Sequence, residues 1–478
     1  MTARERPRLS DPAATIVVGL GFGDEGKGTV VDALARRSAR PPVVVRFNGG
    51  CQAAHNVVTD DGRHHTFAQL GSASFVAGAR THLSRFMLVE PFALFREAEA
   101  LEQKGVPDPL ARLSIDPGAL VITPFQQAAN RLRESLRRRP HGSCGLGIGE
   151  TMADSLAGHS LRVGDLRSPA RALAQLADIQ ARKAAEFEDR RAQLEELTAT
   201  VPERAEDHAM LFDPAAPGLF AEALCELAAE LTIRAGPPER ESGTPLLFEG
   251  AQGVLLDEWY GFHPHTTWST TTTANAETLL AEWGIAGPVT RLGVLRTTHT
   301  RHGAGPLPGR DAGLEARCPE PHNGTGRWQG AFRVGHFDAV LARYALEVCP
   351  VDALALTHLD RLAESGPGWI SGYRESGRPL TRLPIKAELE DLRFQERLTE
   401  RLRDVAPILE AGVRPDAETV AARLGVPVSL TSRGPRSRDK RVTGPLVATL
   451  GGRGRSPVRA IARSSARRPA GARPPVPA

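Results

Sequence analysis

The chain lacks the features that mark disulfide-bonded, secreted and membrane-spanning proteins. It has 5 cysteines among 478 residues, an odd number without C-x-x-C spacing, which argues against a disulfide framework or a zinc site. No apolar run approaches the roughly 18 residues that a membrane-spanning helix needs. The first residues, MTARERPRLSDP, carry charges but no apolar core of a secretory leader. We therefore expect reduced thiols, a cytoplasmic location and no membrane contact.

Acidic residues are missing from the last part of the chain, which begins at Gly451 and contains seven arginines. Removing these seven charges changes the formal net charge from +4 to −3, so the rest of the chain is mildly acidic. Because a segment rich in Pro, Gly and Arg cannot bury a core, we predict disorder at residues 449–478 and also at residues 1–13. We interpret the Arg/Pro-rich tail as a solvated extension; the alternative is an element that binds nucleic acid or another polyanion.

Strand-like apolar runs alternate with helical patterns along most of the chain. The runs lie at residues 15–18, 43–47, 119–122, 245–248, 289–295 and 353–356, and helical spacing follows at 29–37 and 126–137. This alternation is typical of an α/β fold with a buried sheet. Residues 168–234 are instead rich in Ala, Leu, Glu and Arg at helical spacing. We predict a large central, mainly parallel β-sheet flanked by helices over residues 14–448, with a helical insertion at 168–234.

A glycine-rich loop, LGFGDEGKG, follows the first strand-like run and ends at Gly28. The spacing from Gly21 to Lys27 matches a Walker A phosphate-binding loop, but Gly28 stands where that loop has Ser or Thr. Asp24 and Glu25 could supply anionic oxygens in place of the missing hydroxyl and so hold a hard cation beside a polyphosphate. The alternative is a tight strand-to-helix turn with acidic residues near a helix N-terminus.

Further motifs downstream offer groups for phosphate and purine chemistry. RFNGGCQAAHN places His55 after a Gly-Gly turn, where a protonated imidazole could stabilise a transferring phosphoryl group or could simply be structural. FEGAQGVLLD contains Gln252, whose amide can bond a purine edge or stabilise a turn. The hydroxyl-rich segment 266–273, Arg301 and Arg333 provide donors for anionic ligands. Each motif alone is a weak signal for function. The order in which the motifs follow one another along the chain is more specific.

In that order, the motifs resemble those of adenylosuccinate synthetase, a GTP-dependent purine enzyme, from residue 15 to about residue 445. GFGDEGKG resembles the family's WGDEGKG, RFNGGCQAAHN its R-x-x-GG-x-NAGH-T, and FEGAQGVLLD its FEGAQG-x-LLD. RHGAGPLP resembles R-V-GAGP-F-P, THLD the guanine motif T-K-L-D, and SRGP the motif S-x-G-P. The resemblance implies a fold related to P-loop NTPases and a catalytic domain over residues 14–448.

The resemblance also implies roles for individual residues. Asp24 would remove the N1 proton of a 6-oxopurine and ligate Mg²⁺, Lys27 would hold phosphate, and His55 would stabilise the transferring phosphoryl group. Gln252 would bind the 6-phosphoryl purine, and Asp360 would accept hydrogen bonds from guanine. The implied positions are Gly23, Glu25, Gly26, Gly28, Asp360, Ser432, Gly434 and Pro435 for GTP; Asp24 and Ala54 for the metal; and Gln52, Ser143, Cys144, Thr267, Arg301, Thr325, Arg327 and Arg333 for substrate.

The implied reaction joins the amine of aspartate to C6 of IMP, with GTP as co-substrate and Mg²⁺ as cofactor, in a homodimer. Several departures from the family pattern fall at substrate positions. The family's G-T-T-G-R-G-I-G reads GSCGLGIG here, so two threonines are Ser143 and Cys144 and an arginine is Leu146. A family arginine that reaches the neighbouring subunit's nucleotide falls near Gly158, beside His159. His358 replaces the lysine of T-K-L-D, and Trp328 and Phe332 make the amine loop less purely cationic.

These departures keep two alternatives open. The first is a paralogue that uses the same 6-phosphoryl chemistry with a different amine or purine nucleotide. The second is a catalytically silent nucleotide-binding regulatory protein whose arginine tail is the binding element. Retention of Asp24, Lys27 and His55 argues against the second alternative.

Overall fold

The computed structural model describes residues 14–137, 143–320, 323 and 330–443. The segments 1–13 and 449–478, for which the sequence predicts disorder, lie outside the described residues. The strands are β1 (Ala14–Gly19), β2 (Val43–Arg46), β3 (His55–Val58), β4 (His64–Phe67), β5 (Arg80–Leu83), β6 (Leu88–Val89), β7 (Leu113–Ile115), β8 (Leu120–Val121), β9 (Thr232–Ile233), β10 (Leu246–Gly253), β11 (Val289–Arg296), β12 (His299–His302), β13 (Phe332–Gly335), β14 (Phe337–Asp338), β15 (Ala353–Thr357), β16 (Trp369–Glu375), β17 (Arg378–Leu380), β18 (Ala406–Glu410), β19 (Val428–Ser432) and β20 (Lys440–Val442).

The α-helices are α1 (Lys27–Ala35), α2 (Pro91–Glu102), α3 (Pro124–Leu136), α4 (Ile148–Leu156), α5 (Pro169–Ala185), α6 (Arg191–Thr200), α7 (Pro202–Phe212), α8 (Ala216–Ala229), α9 (Ala274–Glu282), α10 (Ala312–Arg317), α11 (Ala339–Val348), α12 (Arg361–Ser365), α13 (Leu392–Arg403) and α14 (Ala417–Leu424). Within the described ranges, no helix is long and apolar enough to cross a membrane.

The central sheet has ten strands in the order β20-β19-β15-β11-β1-β10-β2-β5-β7-β9. Every neighbouring pair is parallel except β19 with β20, which runs antiparallel at one edge. The α/β fold with a mainly parallel sheet, predicted from the sequence, is therefore confirmed.

The first strand shows why a continuous apolar run lies in the middle of this sheet. All six residues of β1 are buried, because helices cover both faces of the sheet. Ile16 and Val18 pack into one hydrophobic cluster, and Val17 packs into another with Val30 and Val31 of α1. Successive side chains of a strand point to opposite faces, so one strand contributes to two cores.

Two segments differ from the sequence-based expectation. The run at 119–122 does not join the central sheet, and β8 pairs instead with β6 in a small two-stranded sheet. The Gly-Ala-Gln-Gly segment, predicted as a turn, continues β10 as far as Gly253. The Asn48 side chain accepts a hydrogen bond from the Ala251 N–H at 2.8 Å and donates one to the Ala251 carbonyl oxygen at 3.0 Å. These bonds take the place of backbone hydrogen bonds to β2, whose pairing with β10 ends at Glu249.

Residues 169–229 hold the helices α5 to α8, after which β9 joins the far edge of the central sheet. The buried apolar residues of α5, Ala172, Leu176 and Ile179, lie on one helical face and pack into the cluster that also contains Leu224 of α8. This helical segment is thus tied to the sheet and lies beside the loops described next.

Candidate active site

A cavity of about 1230 Å³ lies at the carboxyl ends of the parallel strands. Loops that follow β1, β2, β10, β15 and β19 all reach it, which is the edge where open α/β sheets bind ligands. The sequence-predicted positions that line this cavity are Gly23, Asp24, Gly26, Lys27, Gly28, Gln52, Ala54, His55, Ser143, Cys144, Gln252, Thr267, Arg301, Asp360, Ser432, Gly434 and Pro435.

The loop after β1 is held in shape by the Glu25 carboxylate. Its Oε1 atom accepts hydrogen bonds from the backbone N–H groups of Gly21 at 3.0 Å and Gly23 at 2.8 Å. Its Oε2 atom lies 2.7 Å from Nζ of Lys27, in a buried ion pair. Gly26 has a φ of 89°, in the left-handed region, and starts α1 at Lys27. Glu25 therefore organises the loop and positions Lys27, and it is Lys27 that lines the cavity.

Gly28 packs directly against the histidine of the second motif. A Cβ atom at this position would lie 2.7 Å from Cβ of His55 and 3.0 Å from Oγ of Ser72. The space that Ser or Thr would fill in a Walker A loop is thus taken by His55. This close approach gives a physical reason for the glycine.

His55 belongs to a buried hydrogen-bond network. Its Nδ1 lies 2.6 Å from Oε1 of Glu249, and Glu249 also accepts hydrogen bonds from the hydroxyl and the backbone N–H of Ser72. Burial alone would raise the pKa of Glu249, but the hydrogen bond and charge of His55 hold it at about 2. Burial lowers the pKa of His55, against the opposing effect of Glu249. The carboxylate fixes the proton on Nδ1, so Nε2 is the nitrogen that can meet a ligand.

Asp24 lines the cavity beside a second histidine. Oδ2 of Asp24 lies 3.1 Å from Nε2 of His302, and Arg296 donates a hydrogen bond to the Asp24 carbonyl oxygen at 3.3 Å. Burial raises the pKa of Asp24, but the hydrogen bond from His302 and the charges of Arg296 and Lys27 outweigh it and lower that pKa overall. Asp24 is therefore ionised at neutral pH, as a proton acceptor must be.

Gln252 combines a strained backbone with an unsatisfied side chain. Its φ is 57°, in the left-handed region that non-glycine residues rarely adopt. Its Oε1 atom is buried and has no hydrogen-bond partner within the described part of the chain. Such a combination is found at ligand-binding sites, where a ligand donor satisfies the buried acceptor.

Another wall of the cavity joins the helix that follows β1 to the loop that follows β19. Thr29 of α1 donates a hydrogen bond at 2.7 Å to the carbonyl oxygen of Pro435, in the loop after β19. Asp360 and Ser432 line this wall. His358 is also there, and burial lowers its pKa well below the usual value, so this side chain is neutral.

Two arginines predicted to bind substrate donate hydrogen bonds to backbone carbonyl oxygens. Arg301 donates to the carbonyl oxygens of Ala304, Pro306 and His265 at 2.8–3.1 Å. Arg333 donates to the Gly305 carbonyl oxygen at 3.0 Å and is not among the cavity-lining residues. Thr325 and Arg327 lie outside the described residues.

A region of the cavity that we call the distal lobe is bordered by helices α3, α4 and α5. Among the described residues, four cations and four carboxylates line this lobe: Arg133, Arg137, Arg182 and Lys183, with Glu134, Glu150, Asp154 and Glu186. Sequence analysis missed this cluster because charges on amphipathic helices usually face solvent.

The loop before α4 contributes small and apolar groups next to the distal lobe. Ser143 donates a hydrogen bond to Oδ1 of Asn130 at 3.2 Å. Cys144 packs with Leu88 and Ile148, and burial raises the pKa of its thiol. Trp268, a cavity residue that sequence analysis also missed, has a ring atom 4.0 Å from the position of a Cβ at Gly149.

Glu249 and His302 are the other residues near the predicted chemistry that the sequence did not reveal. Glu249 is a lone carboxylate inside the apolar run of β10, and that unusual placement is a signal for a buried partner. His302 follows Arg301 directly and gave no comparable signal.

The donor set of the cavity fits Mg²⁺ brought by a nucleotide. Within the described residues, no group of three or more His, Cys, Asp and Glu side chains could hold a metal by itself. Mg²⁺ is commonly bound by one or two carboxylates together with substrate phosphates and water, and Asp24 offers such a carboxylate. Ala54 lines the same cavity.

Comparisons with known proteins agree with this fold. A sequence model of the adenylosuccinate synthetase family matches residues 16–440. The adenylosuccinate synthetase of Azotobacter vinelandii is 31% identical over 437 residues, which cover 88% of this chain and 96% of that protein. The ligated adenylosuccinate synthetase of Plasmodium falciparum has a similar fold, with a TM-score of 0.67 at 18% identity over 90% of this chain and 100% of that one. The succinoaminodeoxyadenylate synthetase of cyanophage S-2L, bound to dGMP and dATP, has a TM-score of 0.55 at 16% identity over 93% of this chain and 98% of that one.

Proposed function

Because the chain belongs to the adenylosuccinate synthetase family, we propose that it is a GTP-dependent ligase that forms a C–N bond at C6 of a 6-oxopurine. The first candidate reaction joins the amine of aspartate to C6 of IMP and gives adenylosuccinate, GDP and phosphate. One observation carries the proposal: Asp24, Lys27, His55, Gln252 and Asp360 line a single cavity.

The chemistry follows from the poor leaving ability of a purine oxygen. The ionised Asp24 carboxylate takes the N1 proton. O6 then attacks the γ-phosphorus of GTP, and the bond between this phosphorus and the oxygen of the leaving GDP breaks. The amine nitrogen next attacks C6 and releases a proton, the C6–O6 bond breaks, and phosphate leaves. His55 is held by Glu249 and presents Nε2 to the transferring phosphoryl group. Burial lowers the pKa of His55, and the negative charge of the phosphoryl group raises it again.

Other residues of the cavity bind GTP and its metal. Asp360 accepts hydrogen bonds from the N1 and N2 donors of guanine, and Lys27 contacts the phosphates. Asp24 and Ala54 would hold Mg²⁺, which would neutralise phosphate charge.

A second candidate is a paralogue that applies the same chemistry to a different purine or amine. Two observations favour it: Lys183 of the distal lobe is paired with Glu150 and Asp154, and Arg301 is bonded to three backbone carbonyls. In either case we propose a homodimer, which light scattering of the full-length protein would test.

Positional isotope exchange tests the reaction without requiring the correct amine. GTP labelled with ¹⁸O in the β,γ-bridge is incubated with the protein, Mg²⁺ and a 6-oxopurine compound, either IMP or inosine. Reversible transfer of the γ-phosphoryl group scrambles the label into the non-bridging positions, and we expect scrambling that depends on the purine. Absence of scrambling with both purines would contradict the proposal and favour a catalytically silent nucleotide-binding protein. Mass spectrometry of products formed with aspartate or another amine then identifies the second substrate.

A further inference from the structure

A histidine at the end of β12 lies beside the proposed base. Nε2 of His302 is 3.1 Å from Oδ2 of Asp24, and both side chains line the cavity. An ionised carboxylate only accepts hydrogen bonds, so the proton between the two groups belongs to Nε2. The family motif R-V-GAGP, which RHGAGPLP resembles, has valine at this position. Because a valine side chain cannot donate a hydrogen bond, the contact to Asp24 is one that this chain adds to the motif.

The ring of His302 is held by packing as well as by this hydrogen bond. His302 pairs with Phe332 across β12 and β13, and the two rings meet edge-on with 4.8 Å between their centroids. Phe332 in turn packs on a buried cluster that contains Leu314, Cys318 and Val334. A side chain that is already fixed by its neighbours loses little further freedom when it forms a hydrogen bond. It is therefore well suited to orient a partner.

The backbone on both sides of His302 is anchored too. The guanidinium group of Arg301 donates to three backbone carbonyl oxygens and lies 4.2 Å from the centre of the Phe22 ring. Phe22 belongs to the glycine-rich loop after β1, so this cation–π contact ties that loop to β12. The N–H of Gly303 donates to the Ala331 carbonyl oxygen at 3.0 Å. The strand therefore presents its histidine to the loop from a fixed position.

The backbone of Asp24 is fixed, but its carboxyl group needs a partner to set its orientation. Asp24 has a φ of 61°, in the left-handed region, and Arg296 donates to its carbonyl oxygen at 3.3 Å. The torsion angle that turns an aspartate carboxyl group has broad wells, so the backbone alone does not determine where the two oxygens point. A hydrogen bond to Oδ2 restricts that rotation and thereby sets the direction of Oδ1.

We propose that His302 is a positioning residue for the proposed base: its Nε2–H holds Oδ2 of Asp24, so that Oδ1 meets the N1 proton of the 6-oxopurine. This inference rests on the proposed function, because it takes Asp24 as the base. Proton transfer requires the donor and acceptor atoms to lie about 2.6–3.2 Å apart, so a carboxyl group that rotates freely spends only part of its time within reach. Loss of His302 therefore slows phosphoryl transfer and leaves the GTP site formed.

The test follows isotope scrambling in ¹⁸O-labelled GTP with the full-length protein, Mg²⁺ and IMP or inosine, whichever supports scrambling in the wild type. His302→Val removes the donor, and we expect purine-dependent scrambling to slow at least about tenfold, because a base out of position loses much of its effect. The KM for GTP, taken from the dependence of scrambling on GTP concentration, should stay within about threefold of wild type. His302→Gln keeps an N–H donor on a side chain of similar reach, and we expect its rate to recover to within about threefold of wild type.

His208→Val is the matched control. The His208 ring packs against Phe212 with 4.6 Å between the ring centroids, so this variant loses a similar aromatic contact. His208 is not among the residues that line the cavity, and its replacement should leave the scrambling rate and the KM unchanged. Melting curves of all variants report on the fold, and His302→Met replaces His302→Val, with the same expectation, if the valine variant melts below the wild type.

Three outcomes would overturn the inference. A folded His302→Val variant that scrambles as fast as the wild type shows that Asp24 needs no such partner. A His302→Gln variant that is as slow as His302→Val shows that the hydrogen bond is not what the histidine supplies. Both of these results leave the proposed function standing. If the wild-type protein scrambles the label with neither purine, the proposed function fails and the inference fails with it.

Discussion

Replacing Glu249 by Gln should separate the role of His55 in phosphoryl transfer from simple nucleotide binding. The substitution keeps the shape of the side chain but removes the charge that orients the Nδ1 proton of His55. Glu249 is fully buried and bonded to Ser72 and His55, and it has no position on the cavity wall. We therefore expect kcat to fall while the KM for GTP changes little.

The magnitude follows from the pKa of Glu249. That pKa lies at about 2, against an ordinary value of 4.5, so its surroundings favour the ionised form by about 3 kcal/mol. If the transition state depends fully on this charge through His55, kcat should fall on the order of 10²-fold. If the transition state depends on only part of this charge, the decrease in log kcat should be smaller in the same proportion.

The assay is a steady-state measurement of phosphate release with the wild-type protein, Glu249→Gln and Glu282→Gln, accompanied by thermal melting of all three. The exposed Glu282 serves as the control for loss of one carboxylate. A Glu249→Gln variant that melts normally and keeps kcat within about threefold of wild type would refute the role assigned to the Glu249–His55 pair.

Three further predictions concern the base, the loop and the core. Asp24→Asn should abolish purine-dependent isotope scrambling in GTP while leaving the melting temperature within a few degrees; a variant that still scrambles the label would contradict the assignment of the base. Gly28→Ser, which restores the Walker A pattern, should lower activity at least about tenfold, because the added Cβ would lie 2.7 Å from Cβ of His55; an equally active variant in the phosphate-release assay would show that the loop can relax. Burial raises the pKa of Asp338 from 3.8 to about 6, so the folded chain binds this proton more tightly than the unfolded chain and the free energy of unfolding falls as pH rises through that window. Asp338→Asn should therefore gain stability relative to wild type, on the order of 1 kcal/mol, between about pH 5 and about pH 7.5 in paired melting curves, and a gain that shrinks over this interval would contradict the shift.

The sequence predicted the elements of the fold better than it predicted the partners of the candidate catalytic groups. The run at 15–18 became β1 and the following helical pattern became α1, because both are local patterns of burial. Glu249 could not be assigned to His55, since 194 positions separate them and only the pairing of β10 beside β2 brings them together. The continuation of β10 through Ala251 depends in the same way on Asn48, a contact from another strand's loop.

The sequence did not predict the distal lobe for a different reason. Lys183, Glu150 and Arg133 each occur on a helix whose charges resemble those of an ordinary solvent-facing surface. Only the packing of α3 against α4 and α5 turns these charges inward and pairs them. Periodicity identifies the apolar face of a helix, but it does not tell which polar side is covered by a neighbour.

The hydrogen bond between Thr29 and Pro435 spans 406 positions of the chain. The wall that it closes cannot form during folding until β19 has docked on β15, which pairs with β11 and through it with β1. Contacts of such long sequence separation form late and slowly, because a large loop must first be ordered. Recovery of GTP binding during refolding should therefore lag behind recovery of secondary structure, and it reports when the last parallel strand has joined the sheet.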